Sequence, residues 1–273
     1  MHAYFIDDWT GQKKYQKEVD GLDLLLTQKG VTGRKIKLNR LHDLDASVRD
    51  MAENGIRTFV AVGNDATASR LLNSLLKLDW FTANNRHKAT LAVLPIGKNQ
   101  LIAANFGCNN LIEAVEALRH HRTMTIDLGK LNKRHYFITA ATFREKVSLG
   151  FLSYTISSLR REHRVSICNT NIFSGRQPME NNWSFNPQDG ILEAVIAYPG
   201  HPRSFWSKLF SHSELNNDYI IESVFPHKKI MVHSKEKIVN VYADMAKQLS
   251  APVEVEIEPA KIDVIISAKR KSQ

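Results

Sequence analysis

Apolar positions along the chain hold a helical or a strand period over short segments and alternate between the two. Tyr4-Phe5-Ile6 reads as a first strand. Val19, Leu22, Leu25 and Leu26 then recur at helical spacing up to Gly30. Ile36 and Leu38 alternate with Lys35 and Lys37, as in a strand with one wet face, and Val48, Met51 and Ala52 mark a second helix ending near Gly55. Thr58–Val62 is a continuous apolar strand. It breaks into the turn Gly63-Asn64-Asp65-Ala66-Thr67, and Leu71, Leu72, Leu75 and Leu76 carry a helix onward. Trp80–Arg86 reads as a polar connection and Ala89–Leu94 as the next strand. Leu111, Ile112, Val115 and Leu118 mark another helix, started by Asn109 or Asn110. Strand and helix in strict alternation predict a Rossmann-like, mainly parallel α/β sheet, with ligands at the strand C-termini.

Near residue 121 the pattern changes. Asp127–Phe137 reads as two strands joined by a polar turn, and Ser153–Leu159 as a short helix. Strands follow at Val165–Asn169, Leu192–Ala197, Lys229–Val232, Ile238–Tyr242, Val253–Ile257 and Ile262–Ile266. From Val253 to Glu258 apolar and acidic residues alternate, so one face is buried and the acidic face is wet. The expectation is two domains: residues 1–121, α/β, and residues 122–273, an antiparallel β-sandwich.

Composition narrows the function classes. At 273 residues with 43% hydrophobic content, the chain can bury real cores and is not of disordered type. No apolar run reaches the roughly 18 residues of a membrane span, and Asp7 and Asp8 stand where a leader would be basic and then apolar. A cytoplasmic protein that can touch a membrane surface is the expectation. Cys108 and Cys168 form no C-x-x-C, so buried free thiols are expected. The net charge of +9 is spread along the chain, with 16 basic against 13 acidic residues up to position 120. An anionic membrane surface or a nucleotide suits that bias. Nucleic acid is disfavoured for want of a groove-reading or zinc motif. G-x-G-x-x-G, G-x-S-x-G and H-x-x-x-H are all absent.

The candidate chemistry lies in the turns. A strand that breaks into a tight turn and then a helix presents unpaired N–H groups and a positive dipole end to phosphate. Gly63-Asn64-Asp65-Ala66-Thr67 resembles the G-G-D-G-T turn of the diacylglycerol kinase catalytic domain, shared with sphingosine kinases and bacterial lipid kinases. Pro95-Ile96-Gly97-Lys98-Asn99-Gln100-Leu101-Ile102-Ala103 is similar to that family's P-x-G-T-x-N-D-x-A. The likeness extends along the chain. Asp7–Lys14 resembles the first turn N-P-x-S-G-x-x-K, with Thr10 for Ser and Gly11 kept. Asp127-Leu128-Gly129 resembles I-D-L-G, Asp189-Gly190-Ile191-Leu192-Glu193 resembles D-G-x-L-[DE], and Val253–Pro259 followed by Ile262 and Val264 resembles a final β-hairpin.

The resemblance implies a fold of the NAD kinase/diacylglycerol kinase type and an ATP- and Mg²⁺-dependent transfer of phosphate to a lipid hydroxyl. Nucleotide and lipid acceptor are the implied partners. Nucleotide would be cradled by Thr10, Gly11, Gly63, Asn64, Ala66, Thr67, Gly97 and Lys98, with Asp65 in a catalytic role. Mg²⁺ would be held by Asp189 and the Ile191 carbonyl. Asn64 and Ala66 replace glycines, which matters if those positions require positive φ. Leu101 replaces the family's Asp. The general base of the family is the Glu of a D-G-E turn; here the corresponding residues are Asp244-Met245-Ala246, so the base is lost and Asp244, Glu145, Glu193 or a histidine would have to take the catalytic place. Ala243–Gln248 itself reads as a helical turn. Two other readings stay open: a non-catalytic relative that binds nucleotide or lipid, and a NAD-kinase-like enzyme.

Overall fold

The structure is a computed structural model. It describes residues 1–39, 43–78, 89–143, 145–157, 163–173, 185–199, 219–234, 240–250, 252–268 and 270. The Trp80–Arg86 connection, Leu159 at the end of the expected helix and Ile238 at the start of its strand lie outside these residues. The chain divides into two compact units, Met1–Ile126 with Ala260–Ser272, and Asp127–Pro259. The expected boundary left the whole C-terminal segment in the second domain; in the structure its last stretch joins the first unit.

In the first unit, β1 (His2–Asp7), β2 (Gly33–Leu38), β3 (Thr58–Gly63) and β4 (Thr90–Pro95) form a parallel sheet in the order β2-β1-β3-β4. The end of β16 (Val253–Ile265) adds to β4, also in parallel, with Asp263 level with Thr90. Every residue of β3 and β4 is buried, which is why their sequences are continuous apolar runs rather than alternating ones. α1 (Gln16–Gln28), α2 (Leu44–Glu53), α3 (Asp65–Leu75), α4 (Leu101–Asn105) and α5 (Leu111–His120) are the α-helices among the described residues. The apolar stripe read from the sequence is the buried one: Leu22 and Leu26 of α1, Val48 and Met51 of α2, Leu71, Leu72 and Leu75 of α3. Asn110 is the cap of α5, its Oδ1 accepting from the Glu113 N–H at 2.9 Å.

The second unit is an antiparallel sandwich. One sheet runs β12 (Tyr219–His227), β11 (Leu192–Pro199), β10 (Arg164–Cys168), β7 (Ala140–Phe143), β14 (Asn240–Ala243), β15 (Ala246–Ser250). The other contains β8 (Ser148–Gly150), β9 (Thr155–Ser157), β13 (Lys229–His233) and the first half of β16, with β5 (Thr123–Leu131) and β6 (His135–Phe137). Inner-face residues of both sheets, among them Phe137, Phe143, Ile167, Leu192, Val232 and Val253, make one buried cluster.

Three local expectations are corrected. Ser153–Leu159 was to be a helix, but Thr155–Ser157 is a strand paired with β8; Thr155 and Ile156 are β-branched and sit in a hairpin that packs Ile156 on the core. Ala243–Gln248 was to be a helical turn, but β14 and β15 form a hairpin whose central residues, Asp244 and Met245, take φ of 46° and 68°. The segment from Val253 to Ile265 was to be a hairpin. It is one strand, kinked where Ala260 takes φ of 48°, because its two halves pair with different neighbours, β13 and β4.

Candidate functional site

The three candidate turns follow β1, β3 and β4. These strands are neighbours and parallel, with Val62 level with both Ile6 and Leu94, so the turns emerge at one edge of the sheet. The edge is stitched by short hydrogen bonds. The Asp65 N–H donates to the Asn99 carbonyl at 3.0 Å, and the Ile96 N–H to the Gly63 carbonyl at 2.9 Å. The Asp65 side chain, 1% exposed, accepts from the Leu101 N–H at 2.9 Å and the Ile102 N–H at 3.0 Å. Asp65 therefore caps α4 and ties the β3 turn to the β4 turn. The resemblance implied a catalytic role for Asp65; in the structure its partners include two backbone amides.

Asn64 takes φ of −106° and ψ of −173° and caps α3, its Oδ1 accepting from the Thr67 N–H at 3.2 Å. Ala66 lies within the right-handed helix α3. Neither position needs positive φ, so replacement of the two glycines costs no backbone strain here. The left-handed residues of the edge are Gly97, at φ of 77°, and Asn99, at 61°, and both residue types tolerate it. Gly63 answers a different need: a Cβ there would sit 2.5 Å from Thr67 Oγ1.

Thr10 and Thr67 turn inward. Thr10 Oγ1 donates to the Asp7 carbonyl at 2.6 Å, and Thr67 Oγ1 donates to the Asp7 carboxylate at 2.7 Å. Arg70 also reaches Asp7, at 3.3 Å. Asp7 is thus a buried internal acceptor. What the edge offers outward is the exposed Gly11, the partly buried Asn64, Ala66 and Gly97, and the exposed Lys98. The rings of Trp9 and Tyr15, 5.0 Å apart and edge to face, close on Gly97, where a Cβ would come within 3.1 Å of Trp9 and 3.2 Å of Tyr15. The Gly97 N–H donates to the Glu18 carboxylate at 3.3 Å. Trp9, Tyr15 and Glu18 were missed from sequence; the only signal was their nearness to the Thr10-Gly11 turn.

In the second unit, Asp244 is 1% exposed and accepts from the N–H of Ile138 at 2.9 Å and from the N–H and hydroxyl of Thr139 at 2.7 Å. It anchors the β14–β15 turn to the segment before β7. Ala246 opens β15 and brings no titratable group. Asp189 Oδ1 accepts from the Ile191 N–H at 3.0 Å, and Asp127 Oδ2 from the Gly190 N–H at 2.7 Å. Partial desolvation and the nearby Asp127 raise the Asp189 carboxyl. Burial, and then Asp189, push the Glu193 carboxyl up to about 8. Glu193 is 6% exposed and its Oε2 has no hydrogen-bond partner among the described residues. An all-oxygen, electronegative turn of this kind suits a hard divalent cation. Among the described residues, no three His, Cys, Asp or Glu side chains converge as a metal site.

Comparison with known proteins agrees with this architecture. Residues 3–131 match the diacylglycerol kinase catalytic domain. Two curated relatives, each a "Probable lipid kinase YegS-like" protein, from Yersinia pestis (strain Pestoides F) and Yersinia pseudotuberculosis serotype O:1b, are 31% identical over 134 residues. That match covers 44% of this chain and 43% of each relative, so it spans less than half the length of either. A diacylglycerol kinase from Bacillus anthracis str. Sterne superposes with a TM-score of 0.71 at 15% identity, covering 99% of this chain and 98% of that one. A crystal structure of a putative diacylglycerol kinase from the same organism gives 0.72 at 16%, with the same coverage. Over residues 3–131 the chain is therefore similar to the diacylglycerol kinase catalytic domain, and over nearly its whole length it shares the fold of the solved relatives.

Proposed function

We propose that this protein binds Mg·ATP at the edge formed by the β1, β3 and β4 turns and transfers the γ-phosphate slowly to a lipid hydroxyl. The observation that carries the nucleotide part is the Gly97 N–H, already donated to an anionic oxygen, that of Glu18. A phosphate oxygen is the same kind of acceptor. Ala66, in the first turn of α3, and Gly97 would meet phosphate through their backbone, with Lys98 as a nearby point charge. Asn64, Asp65 and Thr67 hold these groups in place from behind, and Glu18 must leave Gly97 for phosphate to enter.

In the reaction the lipid hydroxyl oxygen attacks the γ-phosphorus, the bond to the β–γ bridging oxygen breaks, ADP departs, and the hydroxyl proton must be taken up. Bound Mg²⁺ would neutralise phosphate charge. A second cation at Asp189 and the Ile191 carbonyl would relieve the Asp127–Asp189–Glu193 repulsion. The slowness follows from the β14–β15 turn: position 246 is Ala, and the oxygens of Asp244 accept from Ile138 and Thr139. Absence of a positioned base typically lowers a rate by roughly 10²–10⁴.

The second reading, a binding-only relative, is favoured by the same two residues. Titration of the protein with Mg·ATP in a calorimeter, followed by incubation of labelled Mg·ATP with a total lipid extract, separates the readings. Heat of binding and a slowly labelled lipid band are expected. Binding without label leaves the binding-only reading, and no binding overturns the transfer reading and leaves only a lipid-binding relative.

A further inference from the structure

One amide of the nucleotide edge is occupied by a side chain from elsewhere in the sequence. Glu18 lies in the first turn of α1, at the third helical position. An acid there commonly turns back onto the N–H of its own cap residue. The cap of α1 is Tyr15, and its N–H already donates to the Gln12 carbonyl at 2.8 Å. The Glu18 carboxylate reaches across instead and accepts from the Gly97 N–H at 3.3 Å. Gly97 is fixed from its other sides. Gln100 Nε2 donates to the Gly97 carbonyl at 2.5 Å, and the rings of Trp9 and Tyr15 press on its α-carbon.

The contact is weak as a staple and costly to a phosphate. At 3.3 Å it is long for an N–H···O bond, and Glu18 is exposed, so water can replace the amide. Its charge is not compensated locally. Lys14 and Lys17 share the start of α1, yet among the described residues no Lys or Arg pairs with Glu18. Lys14 lies over the Tyr15 ring instead, at 4.7 Å from its centroid. The neighbouring acid, Asp20, is turned to Gln16 at 2.8 Å. A phosphate oxygen on the Gly97 N–H would take the place of the Glu18 oxygen and leave that carboxylate a few ångströms away. Two unit charges of like sign about 4 Å apart in water weaken binding by roughly fivefold.

We propose that Glu18 is a built-in competitor of phosphate: its carboxylate closes the Gly97 end of the nucleotide edge, and nucleotide binds by displacing it. The proposal rests on the nucleotide-binding reading and adds to it the residue that sets affinity. Calorimetric titration with Mg·ATP at low and at 0.3 M salt, about neutral pH, tests it on the full-length wild type, Glu18→Gln and Asp20→Asn. Circular dichroism confirms that each is folded. Asp20→Asn removes the same charge from α1 without touching Gly97. Glu18→Gln is expected to bind about fivefold or more tightly than wild type at low salt, with a smaller gain at high salt, where repulsion is screened. Asp20→Asn is expected to stay near wild type. Binding by Glu18→Gln alone would support the proposal further. Equal affinity of wild type and Glu18→Gln overturns it and leaves the nucleotide reading standing. An equal gain in Asp20→Asn overturns it too, since net charge is then the cause. So does weaker binding by Glu18→Gln, which would make Glu18 a helper of the bound Mg²⁺. No binding by any of the three removes the proposal together with the nucleotide reading.

Discussion

Two aspartates that sequence reasoning placed at the centre of the chemistry are used by this fold as connectors. Asp65 gives its oxygens to two amides of α4, and Asp244 gives its own to Ile138 and Thr139. A carboxylate that accepts several backbone N–H bonds in a buried place is a positioning group, whatever else it touches. Asp65→Asn replaces an acceptor by an NH₂ facing an amide donor. It should lower the unfolding free energy by about 1–3 kcal/mol, read as a shift of the urea midpoint, and an unchanged midpoint would refute the capping role. The residue types of this edge were legible in the sequence. Their orientations were not, because the inward turn of Thr10 and Thr67 depends on Asp7, which for Thr67 lies sixty residues away.

At the scale of elements, periodicity worked where each helix has one buried face and each strand pairs in one way. It failed at Ser153–Leu159, at Ala243–Gln248 and at the Val253–Ile265 strand, where pairing partners distant in sequence decide the conformation. The β14–β15 hairpin makes a sharp two-residue turn with both φ values positive although neither Asp244 nor Met245 is a glycine. Such turns favour Asp-Gly. Met245→Gly should therefore raise the thermal midpoint, by a gain of about 1 kcal/mol. A lower midpoint would mean that the Met245 side chain contributes packing that outweighs the strain.

For the whole molecule, the parallel sheet and the sandwich were foreseen from the change of pattern near residue 121, but the return of the last strand to the first unit was not, since nothing local marks it. One buried group links global stability to pH. Glu193 has its folded pKa raised to about 8, against 4.5 for an ordinary glutamate. The native state thus keeps a proton that the unfolded chain releases. Its contribution is full below about pH 4.5 and is lost as pH rises through 8. In the presence of a chelator, Glu193→Gln should flatten that decline in stability, measured by urea unfolding at several pH values. An equal slope in both proteins would show that the carboxyl is ionised and solvated. The central claim is that the nucleotide edge is intact and the missing base is what slows transfer. The most direct measurement is the rate of labelled γ-phosphate transfer from Mg·ATP to a lipid extract by wild type and Ala246→Glu. Label from both, with the variant faster by roughly 10² or more, is the expected result. Equal rates, or no label from folded Ala246→Glu, would contradict it.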